Sequence, residues 1–283
     1  MVSGTTKNLG VIGWPIAHSL SPAMQAAAIR AAGLDYAYIA MPVRPEALPA
    51  AVEGLRSLGF RGFNVTIPHK TAILPLLDTV DEDASMVGAV NTVVLEDGRL
   101  AGYNTDVAGF IGALREMGFS PKGKRAVLLG AGGAARAAVW GLIREGAAAI
   151  SLGVRNPAKA QELVGQFPSF PALTAMDWQS DDFRQALAAA DILVNTTPLG
   201  MAPRVEACPP VDWSCLRRET LAYDIIYTPE ETRFLQMAAA HGCPTLNGVP
   251  MLVGQGAAAF HRWTGQEAGR GVMREALRQA LGH

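Results

Sequence analysis

Cysteine is scarce in this 283-residue chain: Cys208, Cys215 and Cys243 are an odd number at irregular spacing, with no CxxC pair. A disulfide framework is therefore not expected. The five histidines lack ligand spacing, and His18, His69 and His241 stand far apart, so no metal site is expected either. Charge of one sign is also missing. A net charge of −1 offers no broad basic field for nucleic acid or an anionic membrane. Any anionic ligand must be held by local positive charge.

Long hydrophobic runs are absent too. The most apolar stretch, 126–154, is broken by Arg136, Arg144, Glu145 and several glycines, so no membrane span is read. The opening MVSGTTKNLG has no basic region followed by an apolar core, and no secretory signal is expected. The cytoplasm follows by elimination. There is no internal repeat and no low-complexity linker. What remains, 49% apolar and 17% charged residues, suits a globular protein with a sizeable core and room for two domains.

Strand-like runs alternate with helix-length segments, the pattern of an α/β protein. In the first third, Leu9–Ile12, Tyr36–Pro42, Gly62–Ile67 and Asn91–Leu95 read as strands. Helices are expected over Pro22–Ala32, Pro45–Leu58 and Lys70–Leu77, with the Ser21 hydroxyl as cap for the first. In the middle third, a strand at Ala126–Leu129 runs into Gly130-Ala131-Gly132-Gly133 and an Ala-rich helix ending near Gly146. Strands follow at Ala149–Val154, near Leu173, and at Ile192–Val194, Leu221–Ile226 and Pro244–Leu246. That is a doubly wound array of dinucleotide-binding size. Beyond Pro250 the pattern is helical, and these last helices are too few to stand alone. The expected division is 1–106 for substrate and catalysis, 107–249 for a Rossmann coenzyme domain, and 250–283 packing back on the substrate domain.

Gly130, Gly132 and Ala135 fill the G-x-G-x-x-A fingerprint, with Ala131, Gly133 and Ala134 between them. Gly130 permits the tight turn, Gly132 lets backbone approach a pyrophosphate, and Ala135 keeps the helix near the sheet. The pattern follows a strand and opens a helix, the context that separates it from an ordinary Gly-rich turn. NAD binders place Asp or Glu at the end of the second strand. Here Val154-Arg155-Asn156 stands there, with Lys159 a turn later. The missing acid, and an arginine suited to a 2′-phosphate, point to NADP, with NAD as the alternative.

Three segments are too polar for their apolar surroundings: His18-Ser19-Leu20-Ser21-Pro22, Asn64-Val65-Thr66-Ile67-Pro68-His69-Lys70, and Asn91-Thr92 with Asn104-Thr105-Asp106. Alternation puts Asn64 and Thr66 on one strand face. Read singly, these are turn and cap residues. Together they supply the hydroxyls, amides and cation that a polyhydroxylated carboxylate needs. Asn195-Thr196-Thr197 follows the fourth Rossmann strand, where ligands bind, though its sequence also suits a plain Asx turn. Gly102, Gly109 and Gly248 suggest hinge freedom.

The segments HSLSP, NVTIPHK, AVNT, GYNTD, GAGGAARA, NTTPLGM, YDIIYTP and GVPMLVGQGAAAF, in that order over nearly the whole chain, resemble the shikimate dehydrogenase family. The resemblance implies a two-domain α/β fold that reduces 3-dehydroshikimate to shikimate with NADPH. It implies that Ser19 and Ser21 bind the substrate carboxylate, that Asn64, Thr66, Asn91 and Gln255 contact its ring hydroxyls, and that Tyr227 lies nearby. Lys70 and Asp106 would be the catalytic pair, with the proton-transferring member left open. Thr197, Ile225 and Gly248 would line the nicotinamide, and Arg155, Asn156 and Lys159 would meet the adenosine phosphate. The chain departs from the family's common pattern at Val154, Asn156 and Lys159, at Gln25 where histidine is frequent, at Trp14, and at Gly248-Val249-Pro250. A quinate/shikimate dehydrogenase using NAD and a non-catalytic shikimate-binding regulator are the competing readings. A monomer or homodimer is expected.

Overall fold

Short apolar runs become strands here, and turn residues set where each stops. The computed structural model describes residues 3–282; Met1, Val2 and His283, at the ends of the expected first and last segments, lie outside the described residues. The chain divides into two units, Met1–Gly109 with Val253–His283, and Phe110–Leu252.

The first unit runs β1 (Lys7–Gly13), α1 (Ser21–Ala31), β2 (Tyr36–Pro42), α2 (Leu48–Ser57), β3 (Gly62–Val65), α3 (His69–Ala72), β4 (Thr79–Val80), α4 (Glu82–Val87), β5 (Thr92–Glu96) and β6 (Arg99–Tyr103). Helix α5 (Thr105–Glu116) carries residues of both units. The sheet order is β2-β1-β3-β5-β6-β4. It is mixed: β1 pairs in parallel with β2 and β3, while β3–β5 and β5–β6 are antiparallel. Phe63, Val65, Val93 and Leu100 are buried in one cluster with Ile12 and Leu55. Each such side chain contributes roughly 1.5–3 kcal/mol by leaving water.

Several expected boundaries move, each for a local reason. Ser21 is not the cap of α1 but its first residue. Leu20 occupies the cap position without a side-chain bond, and its carbonyl accepts Met24 N–H at 3.2 Å. Strand β3 stops at Val65, so strand alternation covers Asn64 but not Thr66, which begins the turn: its carbonyl accepts His69 N–H at 2.9 Å. Pro68 has no N–H to continue a ladder. The helix expected over 70–77 is α3 plus a separate 3-10 turn at Leu74–Leu76, with Pro75 inside it. The one expected over 45–58 likewise divides into a 3-10 turn and α2. The β5–β6 hairpin was not anticipated. Its signal is Asp97-Gly98, both at positive φ (50° and 75°), as a two-residue hairpin turn requires.

The second unit continues with β7 (Arg125–Leu129), α6 (Gly133–Arg144), β8 (Ala149–Val154), α7 (Pro157–Gly165), β9 (Leu173–Asp177), α8 (Asp181–Ala189), β10 (Ile192–Asn195), β11 (Leu221–Asp224), α9 (Arg233–His241) and β12 (Thr245–Leu246). All its strand pairs are parallel, in the order β12-β11-β10-β7-β8-β9. This is the doubly wound dinucleotide-binding order, with its switch point between β7 and β10. Phe183, Leu187, Leu193 and Phe234 fill part of its core.

The chain closes with α10 (Val249–Thr264) and α11 (Arg270–Leu281). Helix α11 packs on α1. Trp263, 1% exposed, donates its indole N–H to the Val93 carbonyl at 2.9 Å. A Cβ on Gly62 would strike that indole, so the first sheet is built around it. No helix is long and apolar enough to cross a membrane among the described residues.

Candidate active site

Within the first unit, loops at strand ends bring most of the expected polar residues into one hydrogen-bonded series. Lys70, at the start of α3, places Nζ 2.6 Å from Asp106 Oδ2. Asp106 opens α5, and its other oxygen accepts from Asn91 Nδ2 at 2.9 Å. Asn91 Oδ1 is held in turn by Thr105 N–H at 2.8 Å and by the Thr92 and Thr105 hydroxyls. Backbone bonds from Val90 N–H to the Lys70 carbonyl (2.8 Å) and from Asn91 N–H to the Tyr103 carbonyl (3.0 Å) fix the supporting segments. The Lys70 and Asp106 side chains are 31% and 17% exposed, so the pair is supported from behind and open in front.

Asn64 joins this frame from β3. Its amide donates to the Asn91 carbonyl and to the Thr92 hydroxyl, both at 3.0 Å, which commits both of its N–H groups. Its oxygen accepts from the Tyr38 hydroxyl at 2.7 Å. Asn64 therefore meets a ligand only through the second lone pair of that oxygen. Tyr38 is 7% exposed; burial pushes its phenol up, and it stays a neutral donor. Sequence reasoning missed Tyr38. Its place in β2 gave no sign that a polar partner lay across β1 on β3.

Ser19 and Ser21 are half-buried, and Ser19 Oγ accepts Ser21 N–H at 3.4 Å. Thr66 is half-buried where Gly13 lets it close on β1, since a Cβ there would lie 2.5 Å from Thr66 Cγ2. Gln255, also half-buried, sits on α10. His69 is buried with Nε2 2.7 Å from the Val43 carbonyl, a packing role.

The second unit assembles the coenzyme candidates at the carboxyl ends of its strands. Gly130 has φ +105°, and a Cβ on it would lie 3.0 Å from Thr197 Cγ2. The glycine turn and the Thr197 segment thus touch at the β7/β10 switch point. Gly132 caps α6 without a side chain, Gly132 and Gly133 are exposed with open space around them, and Ala135 is fully buried. Free N–H groups at an uncovered helix start suit a pyrophosphate, so the residues present fit a dinucleotide. Arg155 and Lys159 are exposed. Asn156 caps α7, accepting Lys159 N–H, so its oxygen is already engaged.

Asn195 does form the Asx turn, accepting Thr197 N–H at 3.0 Å, and the turn itself presents Thr197 beside Gly130. Gly248 touches Ile225: a Cβ on it would strike the Ile225 carbonyl. Gly248 and Gly102, where a Cβ would lie 2.5 Å from Leu77 Cδ1, are thus close-packing glycines, not points of slack. Tyr227 lies in this unit, half-buried, with its phenol pushed up by burial. Cys208, Cys215 and Cys243 are free. Among the described residues no group of three or more His, Cys, Asp or Glu is placed to hold a metal ion.

Comparison with known proteins adds a family. Residues 11–93 match the substrate-binding domain of shikimate dehydrogenase, 113–202 match shikimate/quinate 5-dehydrogenase, and 248–278 match the C-terminal domain of shikimate 5′-dehydrogenase. The shikimate dehydrogenase (NADP+) of Moorella thermoacetica is 49% identical over 99% of this chain and 96% of its own length. A solved shikimate dehydrogenase in complex with NADP+ superposes with a TM-score of 0.92 at 40% identity, covering 99% of this chain and 97% of that one. The Thermus thermophilus shikimate 5-dehydrogenase in complex with NADP(H) and shikimate gives 0.87 at 40% identity, covering 97% and 100%. Nearly half of all positions retained over almost the full length is far more than a shared fold requires, and the chain therefore belongs to the shikimate dehydrogenase family.

Proposed function

We propose that this chain catalyses the reversible reduction of 3-dehydroshikimate to shikimate with NADPH. The observation that carries the reading is the Lys70–Asp106 pair at 2.6 Å, fastened by Asn91. Reduced coenzyme, when bound, supplies a hydride to the ketone carbon. The oxygen of that ketone gains negative charge and needs a proton donor beside it. Asp106 engages one of the three N–H donors of Lys70, which leaves the others on the exposed side of the ammonium for the ketone oxygen. Lys70 is the principal acid and base, and Asp106 is the partner that holds its ammonium aimed.

The remaining site residues take roles that their geometry supports. Ser19 and Ser21 offer hydroxyls to the substrate carboxylate. Asn91 has a second amide N–H for a ring hydroxyl, while Asn64 accepts from one; Thr66, Gln255 and Tyr227 complete the set. In the other unit, residues 130–135 meet the pyrophosphate. Arg155 and Lys159 grip the 2′-phosphate, with Asn156 shaping their turn. Thr197, Ile225 and Gly248 line the nicotinamide. Residues 1–106, with the helices from 250 onward, form the substrate part and 107–249 the coenzyme part. The working form is a cytoplasmic monomer or homodimer, which sedimentation of the purified protein distinguishes.

Steady-state turnover of shikimate and quinate with NADP and NAD tests the reading. Shikimate with NADP should be the best combination by a wide margin; no oxidation of shikimate by either coenzyme overturns it. Lys70→Ala should lower kcat by about 10²–10⁴-fold, the usual share of general acid–base catalysis, with shikimate still bound in a calorimeter. Unchanged turnover removes Lys70 from its role.

A further inference from the structure

The segments bearing Thr197, Ile225 and Gly248 share one buried anchor that the catalytic reading leaves unused. Asp224, the last residue of β11, is fully buried. Its Oδ1 accepts from Asn195 Nδ2 and from Ile226 N–H, both at 3.1 Å, and its Oδ2 accepts from the Thr232 hydroxyl at 2.6 Å. Two routes lead outward from this carboxylate. Through Asn195, whose oxygen takes the Thr197 N–H at 3.0 Å and hydroxyl at 2.7 Å, it reaches the segment that touches Gly130. Through Ile226, whose carbonyl accepts Gly248 N–H at 2.9 Å, it reaches the close contact between Gly248 and Ile225.

Burial pushes the Asp224 carboxyl up to about 6, even with three donors on it. A buried acid is costly to keep, and apolar packing would hold a sheet end with less strain on the charge. An apolar side chain would, however, leave the Asn195 amide and the Ile226 N–H without their acceptor, and both segments would lose their common reference point.

We propose that Asp224 is a positioning residue for the coenzyme: by accepting from Asn195 and Ile226 at one oxygen, it holds the Thr197 segment and the Ile225–Gly248 contact in register. The inference rests on the reading of Thr197, Ile225 and Gly248 as nicotinamide residues. Asp224 acts through them and touches no reactant itself.

The test is a double-mutant cycle in the full chain with Asp224→Ala and Asn195→Ala, reading NADPH affinity by fluorescence titration, shikimate affinity by calorimetry, and kcat with KM for each. Each single variant should raise the NADPH Kd about tenfold. The double variant should be no worse than the worse single one, since coupled residues are non-additive. Shikimate affinity should stay within about twofold, and Asp224→Asn, which keeps an acceptor for Asn195 and Ile226, should recover part of the loss. Should Asp224→Ala not fold, Asp224→Leu, of similar size and without an acceptor, takes its place in the cycle. Wild-type NADPH affinity in a folded Asp224→Ala or Asp224→Leu variant overturns the inference, as does strict additivity in the cycle. Failure of the wild-type chain to bind NADPH at all removes the coenzyme reading, and this inference with it.

Discussion

Lys70 and Asp106 form a half-exposed ion pair, and such pairs contribute only about 0–1 kcal/mol to stability. Their support is out of proportion to that gain: Asn91, Asn104, Thr92 and Thr105 all serve to hold one carboxylate in place. Asp106→Asn should therefore leave thermal unfolding within a degree or two while turnover falls by at least about 10²-fold; a large loss of stability with normal turnover would reverse the assignment. Arg155 has the opposite setting, exposed at the end of β8. Arg155→Ala should raise the KM for NADPH by about 10–100-fold, the worth of one charge-assisted hydrogen bond, and leave that for NADH unchanged. Equal effects on both coenzymes would place Arg155 elsewhere. Gln25 was legible as unusual but not as buried. Its amide donates to the Gly256 carbonyl at 2.9 Å, and its oxygen is buried without a partner. An unpaired buried oxygen costs about 1–3 kcal/mol and the bond returns about 1, so Gln25→Met should unfold at the same or a higher temperature. A clear drop would show that the amide is needed.

At the scale of elements, period and turn chemistry carried most of the reading. Tyr36–Pro42 and Ala149–Val154 were bounded correctly because proline and polar residues punctuate them. The errors cluster where tertiary contacts decide an ending. Leu20 displaced Ser21 from the cap because the preceding turn, with Ser19 N–H on the Ile16 carbonyl, had already directed the chain into the helix. The glycine turn was legible in full, and so was the place of Tyr223-Asp224 at the ligand-bearing end of a strand, whereas the burial of that acid was not. Asp224 sits in an ordinary strand ending, and only the fold shows three donors converging on it. Its raised pKa makes the neutral form the better folded one. The stability it contributes is present below the unfolded value of 3.8 and is lost as pH rises to about 6. Relative to Asp224→Asn, which does not titrate, the wild type should lose stability over that window, on the order of 3 kcal/mol. Urea unfolding of both proteins at pH 4 and pH 7 measures it, and a difference independent of pH contradicts it.

At the scale of the molecule, the units differ in how the chain builds them. The second is one continuous stretch, and the first is made from two pieces. Trp263 ties the later piece to the earlier through Val93 and the space above Gly62. Trp263→Ala should cost about 3–5 kcal/mol and fall on the first unit. Mild proteolysis of that variant should spare a fragment close to 110–252, and equal loss of both regions would show that the damage spreads. The same discontinuity sets an order of events during synthesis. A nascent chain holds every strand of the second unit before the helix bearing Gln255 and Trp263 leaves the ribosome. The unit that carries Lys70 and Asp106 must wait, its sheet uncovered where the indole belongs, until the final helices emerge.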